Sequence, residues 1–203
     1  MHIEFLVEEQ SCAEALKSLV PKIIGDDATH RAHVFQGKRD LLNQLPQRLR
    51  GYASWIPQDW RIVVLLDRDA DDCRVLKSRL ETLAQAAGLV TRTAARDKRR
   101  FNVLNRIVVE ELEAWFFGDI SALTTAYPRI PLTLASRRGF RNPDTIPGGT
   151  SEALERLLKK AGYYFTGMPK IEVARRVSAH MRPDQNQSHC FSVFRDALRQ
   201  MVG

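Results

Sequence analysis

Apolar residues along the chain fall into short unbroken runs separated by longer stretches of helical spacing. Ile3-Glu4-Phe5-Leu6-Val7 is an apolar run of strand length, and Ser11-Cys12-Ala13-Glu14 after it has the S-x-x-E form of a capping box. This predicts a helix to about Val20, with Pro21 as its stop. Ala32-His33-Val34-Phe35 reads as a second strand before a turn at Gln36-Gly37-Lys38, and a helix follows from Asp40 towards Arg50. After Arg61, Ile62-Val63-Val64-Leu65-Leu66 has the pattern of a central strand buried on both faces. Val75, Leu76, Leu80, Leu83, Ala84 and Ala87 recur at helical spacing, with Gly88 where a left-handed cap belongs. Leu89 to Thr93 and Ile107-Val108-Val109 read as further strands, and Glu110 to Phe117 as a helix.

From Tyr127 to Gly149 four prolines and three glycines predict a long irregular excursion. Three amphipathic stretches close the chain, near Ser151 to Ala161, Lys170 to Met181 and Ser188 to Val202. The alternation of strand and helix predicts an α/β fold, Rossmann-like, with a mostly parallel central sheet flanked by helices. Residues 1–126 would form the core, and residues 127–203 a loop-rich, helical C-terminal extension packed on it within one structural domain. No internal repeat, low-complexity tract or heptad pattern points to a solenoid or coiled coil.

Composition narrows the class. The 203 residues are 44% hydrophobic, enough for a full core, yet no run approaches the roughly 18 apolar residues of a membrane span. The first residues lack the charged start and cleavage site of a signal peptide, so the expected location is the cytoplasm. Cys12, Cys73 and Cys190 form no Cys-x-x-Cys pair and read as reduced thiols. Lys and Arg number 31 against 24 Asp and Glu, and the net +7 would attract a polyanion such as nucleic acid.

The candidate chemistry lies in the acids. Asp67-Arg68-Asp69-Ala70-Asp71-Asp72 follows the central strand at its C-terminal end, where open α/β sheets bind ligands. Two close carboxylates repel unless a cation neutralises them, and hard oxygen ligands suit Mg2+ or Mn2+. The same acids would also serve as a solvated turn capping the next helix. An EF-hand is excluded, because its Gly and Glu positions hold Asp72 and Ser78. Glu8 and Glu9 end the first strand in the same way, and Glu110, Glu111 and Glu113 do so a third time. A parallel sheet would bring all three groups to one rim, predicting a metal site built from their carboxylates. Divalent metal chemistry there favours phosphodiester cleavage. Lys170, Lys38, Arg68 and the run Arg96-Asp97-Lys98-Arg99-Arg100 are candidate phosphate-binding cations.

Val7-Glu8-Glu9-Gln10-Ser11, Leu66-Asp67-Arg68-Asp69 and Glu111-Leu112-Glu113-Ala114-Trp115-Phe116 together resemble the Toprim superfamily, and more closely the domain of unknown function 4276 family. The likeness extends to Gly37-Lys38, Asp72-Cys73, Leu76-Lys77 and a tail with Lys170, Ser188, Phe191 and Phe194. It implies a Toprim core. It also implies the activity of nucleases of the overcoming-lysogenization-defect type, with Glu8, Asp67, Asp69, Glu111 and Glu113 holding metal and Lys170 as an electrostatic helper. An ATPase partner and a role in prokaryotic antiviral defence are implied by the same likeness. Glu9 stands where Toprim domains carry Gly, and Cys12 where a further acid is expected.

The first expectation is thus a Mg2+-dependent nuclease acting on nucleic acid, with DNA taken first and RNA left open, and with Lys38, Arg68, Lys98, Arg99 and Arg100 along the nucleic acid. The alternative is a non-catalytic, degenerate Toprim subunit that binds nucleic acid or an ATPase. A phosphatase of haloacid-dehalogenase type, with Asp67 as nucleophile, leaves Glu8, Glu111 and Glu113 without roles. The oligomeric state stays open, a homo-oligomer being one option.

Overall fold

The computed structural model describes residues 1–25, 28–97 and 100–202. Four strands, β1 (His2–Val7), β2 (Thr29–Val34), β3 (Trp60–Asp67) and β4 (Val103–Val108), form one parallel sheet in the order β2-β1-β3-β4. Helix α1 (Gln10–Ile24) covers one face, while α2 (Lys38–Trp55) and α3 (Cys73–Ala86) cover the other. The remaining helices are α4 (Glu113–Gly118), α5 (Ile120–Ala126), α6 (Thr150–Lys160), α7 (Lys170–His180) and α8 (His189–Val202). Their apolar faces join α1 in a single cluster containing Leu16, Trp115, Leu154, Val177 and Phe191. This is the Rossmann-like α/β arrangement predicted from the strand and helix alternation. Among the described residues no helix is long and apolar enough to cross a membrane.

In β3, Ile62 to Leu66 are buried on both faces, which is why the run carries no polar position. The end of α3 also follows its sequence. Gly88 takes φ 78°, its N–H donates to the Gln85 carbonyl (2.9 Å), and Leu89 N–H donates to Ala84 (3.0 Å), closing a Schellman cap.

Three expectations are corrected. Pro21 lies inside α1, which runs on to Ile24. Its ring faces solvent and only one amide donor is lost, while burial of Leu19, Val20, Ile23 and Ile24 holds the last turn. The capping box does not form. Ser11 is already in the first turn and donates to Glu9 Oε2 (3.2 Å), and Glu14 pairs instead with Lys17 (2.7 Å) and Arg175 (2.7 Å). Residues 89–93 form no strand. They meet β4 through a single bridge, Thr91 to Val103, because the chain turns away at residues 92–94.

Long-range contacts clamp α1 to the C-terminal helices. Lys22 Nζ donates to the Ser178, Ala179 and Met181 carbonyls (3.0, 2.6 and 3.1 Å), satisfying the open end of α7. Arg175 bonds Glu14, and Arg199 Nε reaches the Ile23 carbonyl (3.3 Å). At the end of α4, Gly118 touches the turn before α8. A Cβ there would stand 2.0 Å from Asn186 Oδ1 and 2.9 Å from Ser188 N. Asn186 also donates to the Trp115 carbonyl (2.8 Å), so the turn has little room to yield. Gly118→Ala is therefore expected to cost about 1–3 kcal/mol, read as a lowered urea midpoint, and an unchanged midpoint would show that the turn relaxes freely.

Candidate metal centre

The strand order reverses between β1 and β3, since β2 lies beyond β1 on one side and β4 beyond β3 on the other. Ligands of open α/β sheets bind at this switch, outside the carboxyl ends of the strands. Glu8 and Asp67 stand on its two sides, the Asp67 N–H pointing at Glu8 Oε2 (3.4 Å). The pairing of β3 with β4 continues past the strands through Arg68 N–H to the Val108 carbonyl (2.8 Å) and Asp69 N–H to Glu110 (3.2 Å). Asp69 and Glu110 reach these positions with φ of 49° and 61°. Two non-glycine residues in the left-handed region, side by side on one rim, store strain of a kind that clusters at functional sites.

The carboxylates there act on one another. Asp67 is partly buried, and lost hydration followed by the charges of Glu8, Glu113, Asp69 and Glu9 pushes its carboxyl well above the usual range. Burial and Asp69 likewise raise Glu8, with Lys38 opposing. Burial pushes Glu113 up to about 7, with Lys170 opposing and Glu111 and Glu9 contributing. Four of the expected acids, Glu8, Asp67, Asp69 and Glu113, thus share one electrostatic site, and Glu9 joins them. Glu111 lies beside Glu113, but its Oε2 accepts from Ser151 N–H (2.9 Å) and Thr150 Oγ1 (3.2 Å). It therefore also ties the start of α6 to the rim.

Two lysines enter from opposite sides. Lys170, at the start of α7, lies 3.7 Å from Glu9 Oε2. Burial works against its charge, but Glu113, Glu9, Glu111 and Asp67 outweigh this and hold its pKa above the ordinary value. Lys38, at the start of α2, pairs with Asp69 (2.6 Å) and Asp71 (2.8 Å) and donates to the Arg68 carbonyl (3.0 Å). Its ammonium is thus spent within the site, unlike the free phosphate contact expected. Arg68 pairs with Glu110 on the same rim.

The basic run lies elsewhere. Arg100 precedes β4 and so belongs at the N-terminal ends of the strands, about 20 Å from the acids at roughly 3.3 Å per residue, and it pairs locally with Asp97 (3.7 Å). Lys98 and Arg99 lie outside the described residues. Sequence reasoning leaves out Asp71, the second anchor of Lys38, and Cys12, buried beneath the acids. Burial and then Asp67, Glu9, Glu8 and Glu113 push the Cys12 thiol well up, so it stays protonated. Asp71 belongs to the acidic run after β3 and Cys12 takes the place of an expected acid, but neither spacing shows the contacts made here.

The donor set is all oxygen, crowded and short of positive charge, which suits a hard divalent cation in kind. Among the described residues no three His, Cys, Asp or Glu side chains stand close enough to form a finished cage. Asp69 is turned to Lys38, so an ion would have to take its place beside that carboxylate.

Raised carboxyls predict a pH effect of definite sign. Between 4.5 and about 7 the folded protein keeps a proton on Glu113 that the unfolded chain releases. Stability therefore falls as pH rises through this window, by on the order of 3 kcal/mol from Glu113. Urea midpoints in chelator should be lower at pH 8 than at pH 5, and Glu113→Gln should shrink that difference. A gap of the same size in the variant would remove Glu113 as its source.

Neither a curated protein nor a solved structure matches the chain. The family model for the domain of unknown function DUF4276 matches residues 7–201, a span that includes every acid of the rim and both of its lysines. The chain thus belongs to the DUF4276 family.

Proposed function

We propose that this chain is a Mg2+- or Mn2+-dependent nuclease of Toprim type that hydrolyses phosphodiester bonds. The observation that carries the reading is the convergence of Glu8 and Asp67, from the ends of β1 and β3, with Glu113, from the start of α4, near the switch point of the sheet. Glu8, Asp67, Asp69 and Glu113 would hold the ion, with Glu111 beside them. A divalent ion bound there would neutralise the crowded acids and polarise a phosphoryl oxygen. Lys170 is charged and half-buried, placed to bind a phosphate oxygen as negative charge grows. Burial pushes Glu113 up to about 7 without metal, so it would release its proton when it holds the ion. The net +7 favours a polyanionic substrate, and we take DNA as the first choice. A role as effector beside an ATPase in prokaryotic defence is the biological setting that the Toprim likeness suggests.

One observation favours a second reading. Lys38 neutralises Asp69 and Asp71, as a degenerate, non-catalytic subunit would need in order to keep its rim folded. Incubation with supercoiled plasmid, single-stranded DNA and RNA in Mg2+ or Mn2+ separates the two. Strand scission that chelator abolishes is the expected result. Salt-sensitive binding of nucleic acid with no scission in either ion, alone or with an ATPase partner, would establish the second reading instead.

A further inference from the structure

A cavity of about 650 Å³ lies away from the acidic rim, between the N-terminal half of the sheet and the last turns of α2. Its floor is Glu4 of β1, with Arg31 of β2 directly beside it in register. Its far wall is one face of α2, where Gln44, Arg48, Gly51 and Trp55 recur at helical spacing. Trp60, the first residue of β3, closes one end. Glu4 precedes Glu8 by four residues, so the cavity and the rim are separated by about 13 Å at roughly 3.3 Å per residue.

The cavity sets a buried acid beneath an exposed aromatic wall. Glu4 is buried in mid-strand, and it accepts hydrogen bonds from Tyr52 (2.7 Å) and His33 and lies 2.8 Å from His2 Nε2. Burial alone would raise its carboxyl, yet these partners outweigh burial and hold it below the usual value, so the floor is a fixed anion. Arg31 and Arg48 both stand near enough to act on Tyr52, and neither guanidinium has an ion pair among the described residues. Trp55 is 55% exposed and meets Trp60 edge to face at 5.5 Å, leaving aromatic surface open to the cavity. At Gly51 a Cβ would meet nothing within 4 Å, so a larger side chain there would project into open space beside the cavity.

Arg31 and Arg48, without an ion pair among the described residues though Arg48 also lies over the Phe35 ring, beside an open tryptophan wall match a ligand with a flat aromatic ring and negative charge. Guanidinium forks grip phosphate in two-point fashion, and indole faces stack on bases of any identity. A lone inorganic anion would leave the aromatic wall without a partner, and an apolar ligand would leave the arginines bare. The volume lies within the range of small-molecule sites. We infer that this cavity is a binding site for a nucleoside phosphate, its base stacked on the exposed face of Trp55 and its phosphate held by Arg31 and Arg48. The ligand is either a free nucleotide or one nucleotide of a single strand.

Two of the three tryptophans line the cavity and the third, Trp115, is fully buried, so intrinsic fluorescence reports on the site directly. The purified chain is titrated in chelator, which prevents metal-mediated binding at the rim. The probes are the four nucleoside monophosphates, the four triphosphates and a single-stranded oligonucleotide, against adenosine and inorganic pyrophosphate. Saturable quenching by at least one nucleotide or by the oligonucleotide, at least tenfold tighter than by adenosine or pyrophosphate, is expected. Quenching by mononucleotides identifies a free nucleotide as the ligand, and quenching by the oligonucleotide alone identifies a strand. Arg31→Ala and Arg48→Ala should each weaken binding at least tenfold. Gly51→Leu, which fills the space and suits a helix better than glycine, should abolish it without loss of thermal stability. Absence of quenching by any nucleotide or by the oligonucleotide overturns the inference. So does pyrophosphate binding as tightly as the nucleotides, or nucleotide binding that survives Gly51→Leu.

Discussion

Replacing Asp67 with asparagine is expected to raise the urea midpoint of the metal-free protein while lowering metal-dependent cleavage at least about a hundredfold. Both effects have one cause. Asp67 sits where Glu8, Glu113, Asp69 and Glu9 all oppose its ionisation, and no hydrogen bond to its carboxyl offsets this among the described residues. Asparagine keeps the shape and removes the charge, relieving its neighbours by about 0.5–2 kcal/mol at pH 8. The gain should vanish near pH 4, where the wild-type carboxyl is itself protonated. Mg2+ should then stabilise the wild type more than the variant, because a ligand that binds the folded state adds to its stability. A variant less stable than wild type in chelator at pH 8 would mean that Asp67 is held by a favourable contact. A variant that still cuts would remove Asp67 from the metal site.

Trp115→Ala is expected to be the most damaging single substitution outside the site, at about 3–5 kcal/mol. Trp115 is fully buried, stacked on Phe194 with ring centroids 4.9 Å apart and edge-on to Phe191 at 5.2 Å. It is the point at which α4 grips α8, so its loss leaves a cavity between elements rather than within one. Glu113 lies two residues earlier on α4, and cleavage should fall along with stability. Denaturant unfolding measures the first effect, and near-ultraviolet circular dichroism shows whether the aromatic packing survives. A cost under about 1 kcal/mol would show that the neighbouring rings collapse into the space.

Elements whose burial pattern is local were legible in the chain. The β3 run is apolar throughout because both faces are covered, and α6, α7 and α8 announce themselves because each buries one stripe. What failed depended on partners distant in sequence. Pro21 is tolerated because α7 and α8 hold the turn around it, and Glu14 is claimed by Arg175 from 161 positions away. The site divides in the same way. That Glu8, Asp67, Asp69 and Glu113 come near one another was readable because each follows a strand, and a parallel sheet brings such ends together. That Glu111 also ties down α6, that Lys38 is spent on Asp69 and Asp71, and that Arg100 faces the opposite rim are facts of packing that no local spacing encodes. The cavity escaped for the same reason, because its lining comes from β1, β2, α2 and β3 together.

The clamp on α1 has a consequence for the order in which the protein folds. Lys22, Glu14 and Ile23 find their partners 156, 161 and 176 positions further along the chain. During synthesis from the N-terminus, α1 is made early but lacks its cover until residues 170–202 have emerged. The sheet and its α2 and α3 face can assemble first, leaving an apolar face of α1 exposed for the time it takes to add about 150 residues, on the order of 10–30 s at typical elongation rates. Loop closure over such distances is slow, so the last folding step is the docking of the tail. That same step delivers Lys170 to the acidic rim, and the site is therefore completed only when folding is.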